Sequence, residues 1–195
     1  MRNELRPALV LLALLTLLTG VVYPLLVTGV TRLAFPVQVA GSLLERHGVV
    51  VGSSLIGQTF SGPAWFHSRP SATSAMPYDA AASSGSNLGP LSPTLADSFR
   101  ARAAALRTDN PGAPPTLPVD LLTTSASGLD PHITPAAAEL QAARVARART
   151  LPEQQVRALV GQFTEGRQLG VLGEPRVNVL QLNLALDRLS GGANQ

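Results

Sequence analysis

Hydrophobic positions are gathered at one end of this chain. Residues 7–31 carry no charge, and Ala8 to Val30 (ALVLLALLTLLTGVVYPLLVTGV) is a run of 23 uncharged residues. As a helix the run extends roughly 35 Å, enough to cross a hydrocarbon layer about 30 Å thick. A cleaved signal peptide has a shorter apolar stretch, roughly 7–15 residues, followed by a small-residue cleavage site. Only Val27-Thr28-Gly29 approaches such a site. The pattern therefore predicts a retained transmembrane helix over about residues 8–30, inside an anchor of residues 1–35. Thr16, Gly20, Pro24 and Thr28 recur every four residues and form a slowly drifting stripe of mostly small side chains. Such a stripe lets a second helix approach closely in lipid, so these four residues are candidate partner contacts. Pro24 has no N–H for the carbonyl of Gly20, which predicts a kink at that turn. Arg2 and Arg6 form a compact cluster before the run, while Arg32 and Arg46 follow it more sparsely. The positive-inside tendency then puts the N-terminus in the cytoplasm and residues 36–195 outside it.

Beyond the anchor the periodicity changes repeatedly. Val37 to Arg46 reads as a short amphipathic helix ended by Gly48, and the β-branched Val49-Val50-Val51 reads as a strand. From Pro70 to Pro93, twelve of 24 residues are Gly, Pro or Ser, which predicts either a functional loop or a floppy insertion. A helix is expected to start at Ser92 with Pro93 in its first position. Leu95, Phe99, Arg102, Ala103 and Leu106 then share one face at helical spacing. Asp109 to Pro118 holds four prolines and reads as a stiff linker. A second helix is predicted from Thr134-Pro135 to about Arg149. A third follows at once, with Thr150-Leu151-Pro152-Glu153 fitting a capping box. In Val177 to Leu189, alternating leucines suit a strand while Leu182, Leu186 and Leu189 suit a helix. A short strand leading into a terminal helix reconciles the two. The fold class expected is a mixed α+β domain over residues 36–195, extracytoplasmic, with a long loop at 70–93, behind a single N-terminal transmembrane helix.

Composition narrows the function classes. The chain has 195 residues, 45% of them hydrophobic, and a mean hydropathy of +0.20, which excludes a wholly disordered protein. Zero cysteines exclude disulfides, thiolate metal sites and a cysteine nucleophile. All fifteen basic residues are arginine, so the pI of about 10.5 reflects groups that do not titrate rather than a strongly positive field. With only eight aromatics there is no surface on which single-stranded bases could stack, and nucleic acid is not expected as a partner.

Several motifs approach a known chemistry and miss it. Gly52-Ser53-Ser54-Leu55-Ile56-Gly57-Gln58-Thr59 has phosphate-loop spacing, but Gln58 stands where a lysine must reach the phosphates. Leu189-Ser190-Gly191-Gly192 is similar to the ATP-binding-cassette signature, yet the helix that would follow it is missing. His47, His67 and His132 have no metal-ligand spacing, so no metal site is expected. Asp130 and His132 stand near Ser125 and Ser127, which leaves a hydrolase or an anchored binding module as alternative readings. An Asp-Pro-His turn leading into a capped helix explains the same residues structurally.

The loops carry a more specific pattern. Ile56-Gly57-Gln58-Thr59-Phe60 precedes Phe66-His67-Ser68-Arg69-Pro70-Ser71-Ala72, Met76-Pro77-Tyr78 and Ser84-Gly85-Ser86-Asn87-Leu88. Ser125-Ala126-Ser127-Gly128-Leu129-Asp130-Pro131-His132-Ile133-Thr134-Pro135 comes later, then Arg144-Val145-Ala146 and Val177-Asn178-Val179-Leu180. With Leu5-Arg6-Pro7-Ala8 and Tyr23-Pro24-Leu25-Leu26 at the anchor, this ordered set resembles the C subunit of the Kdp potassium-transporting P-type ATPase. The resemblance spans nearly the whole chain. It implies a non-catalytic accessory subunit of a bacterial inner-membrane pump for high-affinity potassium uptake. Its implied partners are the lipid bilayer, the potassium-translocating subunit and the ATP-hydrolysing subunit. Consistent with that division of labour, the chain lacks the D-K-T-G-T motif and a T-V-G-Y-G-like filter. The family's small subunit is described as a catalytic chaperone that raises the ATP affinity of the hydrolytic subunit. On that reading the chain has no cofactor of its own but shares ATP, with Gln58, Ser125, Ser127 and Gly128 as nucleotide candidates. Arg69, Tyr78, Ser86 and Asn87 in the long loop are candidate contacts for a partner subunit.

Overall fold

The structure is a computed structural model describing residues 2–191, and the chain divides into an N-terminal unit ending at Leu43 and a larger unit from Leu44. In the first unit, helix α1 (Arg2–Leu17) passes through a π turn (Leu18–Val22) into α2 (Tyr23–Ala34). Glu4–Ala34 is thus one helical span of 31 residues, long and apolar enough to cross a membrane. The disturbance predicted at Pro24 takes the form of this π turn. Tyr23 donates its N–H to the carbonyl of Leu18, five residues back, directly before the proline. A wider turn takes up the overshoot of a four-residue spacing on a helix of 3.6 residues per turn. Thr16, Gly20, Pro24 and Thr28 are all exposed within their unit, and a Cβ at Gly20 would meet nothing within 4 Å.

The expected helix over 37–46 is corrected. Only α3 (Pro36–Val39) is helical, because Gly41 and Ser42 turn left-handed (φ +88° and +50°) and stop it. β1 (Leu43–Arg46) then pairs with β2 (Val49–Ser53). His47 and Gly48 form the two-residue connection, both at positive φ (+52° and +76°), as the twist of a tight hairpin requires. The valine strand expected at 49–51 is present.

The larger unit is built on helices around a very small sheet. Helix α4 (Pro93–Asp109) starts behind Ser92 as predicted, and Leu95, Phe99, Arg102, Ala103 and Leu106 lie on its half-buried side. Strands β3 (His132–Ile133), β4 (Thr164–Glu165) and β5 (Arg176–Asn178) form an antiparallel sheet in the order β3-β5-β4, with Ile133 and Thr164 flanking Val177. Helices α5 (Pro135–Ala148), α6 (Glu153–Gln162) and α7 (Val179–Gly191) pack their apolar faces here. Alanines 137, 138 and 142 on α5 are fully buried, which permits close helix approach. On α7, Val179, Leu182, Asn183 and Leu186 are buried at i, i+3, i+4, i+7, so the leucine alternation belongs to a helix and the strand ends at Asn178. Asn178 Oδ1 accepts from Gln181 N–H at 3.1 Å, holding the first turn of α7. Of the Leu189–Gly192 motif, Gly192 lies outside the described residues and Gly191 ends α7.

Two caps decide the middle of this unit. Thr134 Oγ1 accepts from Ala137 N–H (3.1 Å) at the start of α5, and buried Asp120 receives the N–H of Thr134 at 2.7 Å. The capping box expected at Thr150 is corrected. Thr150 is left-handed (φ +56°); its N–H donates to the Arg147 carbonyl and that of Leu151 to the Ala146 carbonyl. This is the Schellman closure of α5, so Thr150 ends one helix instead of starting the next. The residue before α6 is Pro152, whose side chain makes no cap bond.

The segment 62–69 has no strand partner, and buried side chains take the place of a ladder. Asn183 receives Phe66 N–H at 3.0 Å and donates to the Phe66 carbonyl at 2.9 Å. Gln141 does the same for His67, at 2.8 and 3.1 Å. Arg144, 7% exposed, donates to the carbonyls of Pro63 (2.7 Å) and Trp65 (3.0 Å), to Asn110 Oδ1 and to Gln141 Oε1. Arg149 holds the Ala64 carbonyl at 2.7 Å, stacks 4.3 Å over the Trp65 ring and pairs with Asp187 at 2.8 Å. An unmet buried amide N–H or C=O costs about 1–3 kcal/mol. Asn183→Leu keeps the volume but leaves both polar groups of Phe66 unmet, so a loss of about 2–4 kcal/mol is expected in denaturant unfolding of the purified protein. A loss below about 1 kcal/mol would contradict the clamp.

Candidate functional site

The long loop is pinned rather than floppy. Apart from a single 3-10 turn (Ala80–Ala82) it has no regular structure, and side-chain bonds to residues 123–132 hold it. Arg69 leads into it. Its Nη1 donates to Asp130 Oδ2 at 2.9 Å, and its Nη2 reaches the Thr124 carbonyl at 3.3 Å and Thr123 Oγ1 at 3.4 Å. The Tyr78 hydroxyl returns to the Arg69 carbonyl, closing the loop's first half on itself. Ser71 Oγ receives Tyr78 N–H at 3.0 Å and donates to the Gly128 carbonyl at 2.7 Å. Ser83 Oγ donates to the Ser127 carbonyl at 3.0 Å, and Thr124 Oγ1 bonds Ser86 Oγ at 3.4 Å.

Two glycines make this docking possible. Gly128 is left-handed (φ +69°), and a Cβ there would come within 2.6 Å of the Ser84 carbonyl oxygen. A Cβ at Gly57 would lie 2.5 Å from the Tyr78 ring and 2.7 Å from the Asp130 carbonyl. Only glycine permits either approach without displacing backbone.

The residues singled out from sequence are placed as follows. Arg69, Ser125 and Ser127 line one open cleft of about 550 Å³ together with Leu55 and Asp130. Gly128 lies beneath the loop, and Tyr78 packs against Gly57. Ser86 touches the same segment through Thr124, whereas Asn87 is exposed with a left-handed backbone (φ +50°). Gln58 is not at the cleft; its amide donates to the Val51 carbonyl at 2.8 Å. No helix follows the Gly52–Thr59 loop, and Gly57 spends its N–H on the Leu129 carbonyl (2.8 Å), so the loop makes an internal turn where a phosphate cradle would need free N–H groups. The Asp130-His132 pair turns inward too. Asp130 Oδ1 receives His132 N–H at 3.0 Å and lies 3.5 Å from His132 Nδ1. Among the described hydrogen bonds none joins His132 to a serine, and Ser127 Oγ accepts the N–H of Leu129 at 3.1 Å. The described residues hold no group of three or more His, Asp or Glu placed to share a metal ion.

Electrostatics follow the same division. Burial works to raise the Asp130 pKa, but the bonds from His132 and Arg69 outweigh it and leave it below the ordinary aspartate value. Burial raises Tyr78, keeping its phenol protonated to bond Arg69. Burial also lowers His67, whose Nε2 must carry its proton because it faces the Gly62 carbonyl at 2.9 Å. Gln141, Asn183 and Asp120, missed in the sequence, and Arg144, noted there only within the Arg144-Val145-Ala146 motif, are the polar residues that fold this region. Their only signal is a polar side chain at a position where helical spacing calls for an apolar one, or, for Asp120, none.

Comparisons with known proteins identify the family. Residues 5–188 match the family described as KdpC: K+-transporting ATPase, c chain. The chain belongs to the KdpC family. It is 64% identical over 189 residues to the potassium-transporting ATPase KdpC subunit of Polaromonas naphthalenivorans, covering 97% of this chain and 96% of the relative. The same-named subunit of Variovorax paradoxus is 62% identical over 187 residues (96% and 97%), and that of Methylobacterium nodulans 57% over 202 (98% and 100%). The match takes in the apolar helix and the folded unit alike.

Acid should loosen the pinned loop. Asp130 and His67 both have folded pKa values below their ordinary ones, so the unfolded chain binds more protons and stability falls as pH falls. The His67 share is complete above about pH 6.5 and fades below it; the Asp130 share fades below about pH 4. Proteolysis within 70–93 should therefore accelerate from pH 7 to pH 5, and His67→Gln should blunt that change. Arg69→Ala should expose the loop to protease already at pH 7, and unchanged cleavage there would contradict the pinning.

Proposed function

We propose that this chain is the single-span accessory subunit of a potassium-transporting P-type ATPase, with its folded unit outside the cytoplasm and no catalytic step of its own. The observation that carries the reading is the full-length KdpC match, which runs through both the apolar helix and the pinned loops. Site chemistry supports it. The polar groups a hydrolase would aim at substrate are instead committed to folding, with Asp130 on Arg69 and His132, and Ser127 on Leu129. The exposed anchor helix, Glu4–Ala34, supplies the membrane attachment, and its Thr16-Gly20-Pro24-Thr28 stripe is a docking face for a partner's span. The potassium-translocating and ATP-hydrolysing subunits are the partners.

ATP enters only through the hydrolytic partner. The chaperone role, raising that partner's nucleotide affinity, would be exerted by contact between subunits. Gln58 and Gly128 serve internal packing, and a folded unit facing away from the cytosol does not meet cytosolic nucleotide. Substituting Ser125 and Ser127 by alanine should leave the nucleotide affinity of the complex unchanged. A severalfold loss would restore direct contact.

The tagged chain, taken from membranes in mild detergent, should bring both large subunits with it, and protease added to intact spheroplasts should digest residues beyond the anchor. Recovery of the chain alone would overturn the subunit reading. Full protection of the folded unit would reverse its orientation.

A further inference from the structure

The proline-rich segment after α4 stands off α5 and leaves a groove of about 630 Å³ beneath it. Both ends of this strap are fixed. Asn110, 5% exposed, accepts from Arg144 Nε at 3.1 Å and donates to the Leu106 carbonyl at 2.9 Å. Beyond Pro118, buried Asp120 receives the N–H of Thr134 at the start of α5. The strap therefore runs against the direction of α5, and Arg107 steadies it by donating to the Pro115 carbonyl at 3.2 Å. Ala136, Leu140, Ala143 and Arg147 recur at i, i+4, i+7 and i+11, so they share one face of α5 along the groove. Their span is about 16 Å at 1.5 Å per residue. The first three make an apolar floor, and alanine at two of the positions leaves the volume that larger side chains would fill.

We propose that this groove binds one straight-chain amphiphile with a single negative charge, a long-chain carboxylate, its head on Arg147 and its chain along Ala143, Leu140 and Ala136. Charge fixes the head group. The exposed guanidinium of Arg147 has no hydrogen-bond or ion-pair partner among the described residues. Arg144 at the same end is spent on Asn110, Gln141 and the carbonyls of Pro63 and Trp65. Further along, Arg157 is shared between Glu139 and Glu153, a triad with one surplus negative charge that repels a second anionic group. The backbone selects against a peptide. Pro111, Pro114, Pro115 and Pro118 carry no N–H, and α5 bonds its own, so an extended chain finds no ladder here. A hydrocarbon chain needs none, and each methylene taken from water favours it. Few polar groups in a mostly apolar cavity of this size is the usual anatomy of a small-ligand site. The inference stands apart from the subunit reading, since the groove lies wholly within the folded unit.

The test uses the full-length chain in lipid nanodiscs, free of detergent that would itself enter the groove. A myristic acid analogue with a diazirine in its chain is photolysed there, and labelled peptides are mapped. Labels are expected within 111–118 and 136–147, and unlabelled myristate should displace them. Arg147→Gln should raise the concentration for half-maximal labelling about tenfold, as loss of a charge-assisted partner does. Methyl myristate, the same chain without the charge, should compete about tenfold less well than myristate. Ala143→Phe, which fills the floor, should abolish labelling in the groove. Should that variant lower the unfolding temperature, Arg147→Gln decides, because its side chain is exposed. Equal competition by the ester or by phosphatidylcholine, or labelling unmoved by Arg147→Gln, overturns the carboxylate. Labels confined to the anchor helix, or retained in a stably folded Ala143→Phe, overturn the groove.

Discussion

Two buried carboxamides, on Gln141 and Asn183, are the constraint on which the folded unit depends. Each pairs with both the N–H and the carbonyl of one residue in the segment 62–69, as a neighbouring strand would. The segment can thus lie against α5 and α7, half-buried around Phe66, without a sheet around it. Phe66, between the two clamps' reach, is fully buried in the core. Backbone polar groups in an interior must be met somewhere, and a three-stranded sheet with strands of two or three residues cannot meet them here. Arg144 extends the same solution to residues 63 and 65. Burial lowers its pKa while nearby Asp109 acts in the opposite sense, and its bonds run to carbonyl and amide oxygens rather than to a carboxylate.

Everything that faces outward from the loops is set by that threading. Once Phe66 and His67 are fixed, Arg69 emerges beside Asp130, and the first half of the long loop folds back through Tyr78. Gly57 and Gly128 then admit the loop against residues 123–132. The result is a rigid surface made from a segment whose composition is that of a linker. Such a surface suits a subunit that docks.

How much of this could be read from sequence follows from how local each signal is. The starts of α4 and α5 were legible because Ser92-Pro93 and Thr134-Pro135 act within one turn. The apolar span was legible from its length alone. Strands β3 and β4 were hidden because two residues cannot display a period, whereas β5 was legible as the short strand leading into the terminal helix. At Thr150 two local rules competed for the same residue, and closure of α5 prevailed over capping of α6. At 37–46 the amphipathic pattern was real, but Gly41 and Ser42 broke it and left a hairpin. The site residues tell a similar story. Arg69, Tyr78, Ser125, Ser127 and Gly128, singled out for two separate roles, lie around one loop junction, and their polar atoms mostly serve the fold. Gln58 stands apart, on Val51. Gln141 and Asn183 were not legible, because a polar residue on a helix gives no hint that a backbone segment lies against it.

Native-state hydrogen exchange tests the clamp most directly. The amides of Phe66 and His67 should exchange as slowly as those of Val145 and Ala146 in the middle of α5, although they belong to no helix or strand. Exchange of these two amides at the rate of the exposed residues 74–76 would show that the segment is not held, and the account of the fold and its docking surface would fail with it.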